Sequence, residues 1–250
     1  MRSDEFIAYL KNAYPSETQW VKMRSDIPLG RDSYGETVYS YKNDKTFVVR
    51  HTCVTGTRRT AFIKRLLITL SCLYEKSEAN FLILSPKSEY GELLRLQTID
   101  ATVPYVRNKA DLENALACVK ELVEMHRREN KCLKLFLVLD GLEEIEGCNK
   151  NSDLEEFRTF FDVVARQPQV EVISGAELMK SIFSGYPGAF VGVGNCLVTT
   201  RESGKADVTY VHEDVSLSQP VAMEYPDVPT IMETLLYLNN LASLGKTAEE

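Results

Sequence analysis

The chain has 250 residues, with 29 Lys+Arg against 36 Asp+Glu and a formal charge of -7. Its composition, 44% apolar and 26% charged, is that of an ordinary soluble globular protein, and a chain of this length buries roughly 70–75% of its extended surface without staples. The apolar runs are far shorter than the ~20 residues that cross a bilayer, Met1-Arg2-Ser3-Asp4 leads into no signal-peptide core, and the acidic balance argues against a dedicated nucleic-acid coat protein.

In chain order, Phe6, Ile7 and Leu10 mark a short leading helix over Ser3 to Tyr14. Ile27-Pro28-Leu29-Gly30 opens a turn-rich stretch, and Ser33-Tyr34-Gly35 joins two short strands. Phe47 to Arg50 reads as a brief strand, and Phe62, Ile63, Leu66, Leu67, Leu70 and Leu73 stripe an amphipathic helix. Phe81 to Leu84 is a buried strand, Asp111 to Arg128 a helix, and Leu133 to Leu139 a strand ending in Asp140. A helix over Leu154 to Val164 and a strand over Val170 to Ile173 follow. Ala189 to Val193, Cys196 to Thr200 and Val208 to Val211 are strands in quick succession, and a helix from Ile231 to Leu241 closes the chain. Strands alternating with helices predict βαβ units and a mainly parallel sheet, and the late strands an antiparallel edge. The cysteines at 53, 72, 118, 132, 148 and 196 form no C-x-x-C pair and read as reduced thiols of a cytosolic protein. The three histidines show no ligand spacing and read as surface or loop-edge residues; His51 opens the loop after the Phe47 strand, where it could hydrogen-bond a phosphate or a neighbouring backbone.

That loop, Thr52 to Thr60, leads directly into a helix, the context of a phosphate-binding G-x-x-x-x-G-K-[ST] loop. Set on that pattern, Cys53 takes the first Gly, Arg58 the second, Arg59 the Lys and Thr60 the Ser/Thr. On these residues alone the segment is an ordinary βα loop.

The wider chain resembles the FtsK/SpoIIIE-type (HerA-like) P-loop motors. Ile27-Pro28-Leu29-Gly30-Arg31-Asp32 is similar to that family's Ile-Pro-Leu-Gly-Lys-Asp, and Phe81 to Lys87 to its strand ending in Asp-Pro-Lys. Val103-Pro104-Tyr105, Glu124 to Arg128, Gly188-Ala189-Phe190, Gly192 to Leu197 and Tyr210-Val211-His212 resemble further motifs in the same order. The resemblance implies a RecA-like α/β core over residues 27–245, after an N-terminal extension (1–26) and before a frayed tail (246–250). It implies ATP or ADP with Mg²⁺ as candidate ligand, at Thr55, Gly56, Thr57, Arg58, Arg59, Thr60 and Asp140, with Thr60 and Asp140 as candidate Mg²⁺ ligands.

Where the family places a Glu after the Walker B Asp, this chain has Gly141, and Glu143 and Glu144 read as a solvated helix start. Arg58 at a glycine position would be strained. Arg59 keeps the charge of the lysine but not its shape. Ser174-Gly175 stands where the family has Thr-Gln. Loss of lysine, glycines and base together predicts a site without useful turnover, since one pre-organised group alone is worth about 10²–10³-fold in rate.

The degenerate motifs resemble the later ATPase domains of type VII secretion ATPases. By that resemblance the chain is a non-hydrolysing regulatory or assembly module, cytoplasmic and attached to a membrane machine through a partner or another region, without inserting itself. Its implied partners are other ATPase-type domains in a ring or tandem array and a secretion-substrate peptide, with DNA less favoured. The competing readings are an active ATP-driven DNA translocase and an ATP-binding clamp without turnover.

Overall fold

Leu135, Leu137 and Leu139 face one side of a sheet while Phe136 and Val138 face the other, and all five are buried. A strand covered on both faces reads as a continuous apolar run, the mark of a parallel sheet flanked by helices. The computed structural model describes residues 27–40, 49–74, 78–95, 101–102, 106–128, 134–145, 170–175, 193–202, 204–211 and 218–225. The expected helices over Ser3 to Tyr14, Leu154 to Val164 and Ile231 to Leu241 lie outside these ranges.

Ten strands form one sheet among the described residues: β1 (Pro28–Arg31), β2 (Thr37–Tyr39), β3 (Val49–Gly56), β4 (Ala79–Leu84), β5 (Ala101–Thr102), β6 (Lys134–Leu139), β7 (Val170–Gly175), β8 (Val193–Thr200), β9 (Lys205–Val211) and β10 (Val221–Glu224). Their order is β2-β1-β10-β9-β8-β3-β7-β6-β4-β5. The six strands from β8 to β5 are parallel, and β9, β10, β1 and β2 continue the sheet as an antiparallel wing. The predicted antiparallel edge is therefore present, with β10 and the short β5 added to it and to the opposite edge.

Helix α1 (Arg59–Leu73) follows β3, and α2 (Lys109–Arg128) precedes β6. They lie on opposite faces: α1 packs with Val54, Phe81, Ile83, Phe136, Val138 and Val198, and α2 with Leu82, Leu84, Leu135, Leu137 and Val172. The stripe predicted for α1 understates its burial, since every residue from Phe62 to Ser71 is buried. Even Arg65 is fully buried, its guanidinium stacked on Phe62 and Tyr225 and donating to the Leu29 carbonyl of β1. Asn108 caps α2, its Oδ1 accepting the Asp111 N–H at 3.0 Å.

Two local departures from the sequence reading set up the site. β3 does not stop near Arg50: it continues through Cys53 and Thr55 to Gly56, paired with β7 up to Val54↔Gly175 and with β8 up to Gly56↔Thr200. After β4, Ser88–Arg95 forms a 3-10 strap whose Tyr90 and Leu93 are buried beside α1.

Candidate functional site

The carboxyl ends of β3, β4, β6 and β7 converge, the place where open α/β sheets put their ligands. Asp140 immediately follows β6 and is fully buried. Its Oδ1 lies 2.7 Å from Arg59 Nε at the first residue of α1. Its Oδ2 accepts the Thr60 hydroxyl at 2.8 Å and the Tyr90 hydroxyl at 2.9 Å. Lys87, just past β4, reaches Thr60 Oγ1 at 3.4 Å and Glu144 Oε1 at 3.1 Å. Glu144 also stands 3.9 Å from the Arg59 NH2 group. Two cations thus face two carboxylates, and the cluster neutralises itself.

Burial, followed by the charge and hydrogen bond of Asp140, pushes the Tyr90 phenol well above its ordinary value. Tyr90 is thereby fixed as a proton donor to Asp140.

Of the residues singled out by sequence, Arg59, Thr60 and Asp140 are in mutual contact. Thr55, Gly56, Thr57 and Arg58 line the β8 side instead. Thr200 Oγ1 donates to the Thr55 carbonyl at 2.7 Å and accepts the Arg58 N–H at 3.3 Å; Thr57 Oγ1 donates to the Arg201 carbonyl at 3.3 Å. A phosphate loop directs its backbone N–H groups inward around the anion. Here Cys53 to Gly56 is strand, and only Thr57 and Arg58 stand between it and the helix. The left-handed residue is Gly56, with φ +96°, where a Cβ would lie 2.1 Å from the Thr200 carbonyl oxygen. Arg58, expected to be strained, has an ordinary φ of -109°.

Three further expectations change. His51 is not at a loop mouth: it is a buried strand residue whose Nε2 is 2.6 Å from Ser174 Oγ on β7. Glu144 is not a merely solvated charge but the outer carboxylate of the cluster. Lys87 and Tyr90 were not assigned to the site. Lys87 had a signal in its Ser-Pro-Lys setting, whereas nothing in the spacing of Tyr90 marks it, because the strap alone carries it back over the sheet.

As arranged, Arg59 stands on the carboxylate that a magnesium–nucleotide would need. Asp140 Oδ2 accepts two hydroxyls, Arg59 at the lysine position turns inward to an ion-pair contact with Oδ1 that is not an aligned hydrogen bond, and the segment that would wrap phosphates is hydrogen-bonded into the sheet. Among the described residues no group of His, Cys, Asp and Glu is arranged to hold a metal ion, and no helix is long and apolar enough to cross a membrane. Cys53, Cys118 and Cys196 are not joined in disulfides.

No family model and no curated protein matches the chain. Solved structures do. The cytoplasmic domain of the type VII secretion ATPase EccC of Thermomonospora curvata is similar over 91% of this chain and 32% of its own, at TM-score 0.56 and 13% identity. EssC (ATPases 2 and 3) of Geobacillus thermodenitrificans is similar over 81% and 41%, at TM-score 0.53 and 13% identity. The pCW3 conjugation coupling protein TcpA, in a monomer form with ATPγS, is similar over 84% and 68%, at TM-score 0.51 and 10% identity. The chain thus spans well under half the length of the two secretion proteins. Its fold is RecA-like, similar to the ATPase domains of type VII secretion and conjugation-coupling proteins.

Proposed function

We propose that this chain is an ATPase-type module without ATP turnover, serving as a regulatory or assembly element of a translocase or type VII secretion machine. The observation that carries this reading is the 2.7 Å contact between Arg59 and Asp140, which sets a guanidinium on the carboxylate that would otherwise hold Mg²⁺. Phosphoryl transfer needs that metal, a cation on the phosphates and a group that orients water. Here the first two functions are spent on each other, and Gly141 carries no carboxylate for the third. The partners implied are further ATPase-type domains in a ring or tandem array, with a secretion-substrate peptide as candidate cargo. A cytoplasmic location, joined to a membrane machine through a partner, follows from the same reading.

Calorimetric titration with Mg-ATP and Mg-ADP, run beside phosphate release, tests it. No heat at millimolar nucleotide and no phosphate release is the expected result. Steady release would overturn the reading and put ATP-driven DNA translocation first, to be checked by DNA binding that weakens steeply with salt. The Thr60–Asp140 contact favours a second reading, an ATP clamp without turnover, because a hydroxyl and a carboxylate so placed could share a metal once Arg59 withdrew. Micromolar binding without release is its signature.

A further inference from the structure

Gly175 ends β7 in strand conformation, opposite Val54 of β3, so its backbone does not demand glycine. Space does. A Cβ at this position would lie 2.9 Å from Asp140 Oδ1, 3.0 Å from Arg59 Nε and 3.1 Å from Arg59 Cδ. The first two atoms are the two ends of the central ion pair, and neither is a loose side-chain tip: Arg59 is held by Asp140, and Asp140 is also held by Thr60 and Tyr90. Any larger residue at 175 therefore meets the pair itself. Gly141 differs: a Cβ there would lie 2.8 Å from the movable Lys87 Cε, but its backbone, at φ +74°, itself favours glycine.

We infer that Gly175 is a positioning residue: by lacking a Cβ it seats the Arg59 guanidinium on Asp140, and so sets the site for an internal ion pair. This rests on the reading of the site as closed to turnover and explains how it is held so. On this view Arg59 and Gly175 are one arrangement, a long cation admitted by a glycine.

The Gly175→Ala variant of the full chain tests the inference by NMR of arginine Nε–H groups. The Arg59 signal is assigned by its loss in Arg59→Ala. An Nε–H held against a buried carboxylate exchanges slowly with water; the expected result is a slow signal in the parent and its loss or fast exchange in folded Gly175→Ala. An unchanged signal in a folded variant overturns the inference. Should Gly175→Ala fail to fold, the pair is removed as a whole: urea unfolding of Arg59→Ala/Asp140→Ala with and without Gly175→Ala decides, equal stability supporting a collision with the ion pair and a further loss on adding Gly175→Ala overturning it. The readout needs no nucleotide, so steady ATP turnover by the parent would sink the functional reading while leaving the glycine's role to be decided by the signal.

Discussion

Tyr90 and Thr60 donate to the same oxygen of Asp140, from the strap after β4 and from the first turn of α1, at 2.9 and 2.8 Å. With Arg59 on the other oxygen, one buried carboxylate ties together β6, α1 and the strap. A charge so deep is tolerable because α1 and the strap each donate a hydroxyl to it and α1 also sets the Arg59 charge beside it.

Removing that charge is therefore costly where removing its outer neighbour is not. Asp140→Asn strips the Arg59 guanidinium of its buried partner, for which a loss of about 3–5 kcal/mol is expected. Glu144 is about half exposed, and Glu144→Gln is expected to cost under about 1 kcal/mol, less still in high salt. Urea unfolding of the two variants checks the contrast; equal losses would show that Asp140 is not the centre of the cluster.

Tyr90 gives the site a pH dependence on the alkaline side. Below about pH 10, the ordinary tyrosine value, the phenol is protonated in both folded and unfolded chains. Above it the unfolded chain releases the proton while the folded chain, whose value is raised by burial and by Asp140, retains it. The folded state then binds more protons, so stability is complete below about pH 10 and falls as pH rises through the folded value. Tyr90→Phe is expected to lose about 1.5–3 kcal/mol at neutral pH, with its bond to a carboxylate, and to flatten that alkaline slope. Thermal melts from pH 8 to 11 read both effects.

Gly56 distinguishes a strand from a phosphate loop. Its φ of +96° and the 2.1 Å approach to the Thr200 carbonyl leave no room for a methyl group. Gly56→Ala is expected to destabilise the chain by about 2–4 kcal/mol. A neutral effect would mean that the β3–β8 pairing at Gly56↔Thr200 does not hold in solution.

Introducing the residues of the phosphate-loop ATPase pattern one at a time is expected to leave phosphate release at the background rate. Arg59→Lys keeps a cation beside Asp140 and leaves Thr52 to Gly56 in the sheet. Gly141→Glu places a side chain at φ +74° with its Cβ 2.8 Å from Lys87 Cε, so the new carboxylate meets an ammonium already in place. Release assays on both variants and on the pair check this; turnover from Arg59→Lys alone would show that lysine was the sole missing part.

Strands β4, β6, β7 and β9, helices α1 and α2, the mainly parallel sheet with an antiparallel wing, and the placing of Asp140 at a strand end were legible in the sequence. Continuous apolar runs and helical stripes record burial directly, and burial is what positions β4, β6, β7, α1 and α2. Arg59, Thr60 and Asp140 were legible as candidates because residue type and position in a strand–helix frame limit what such groups can do. What followed was decided by tertiary structure. Gly56 as the end of a strand depends on β8, far along the chain, supplying Thr200 as its partner. Tyr90 at Asp140 depends on the path of a 3-10 strap, and Gly175 matters through the missing Cβ beside a pair formed by two other elements. Sequence determines which groups a segment carries and which face it buries. Whether Arg59 meets a phosphate or a carboxylate is settled by atoms that only the folded chain brings within 3 Å.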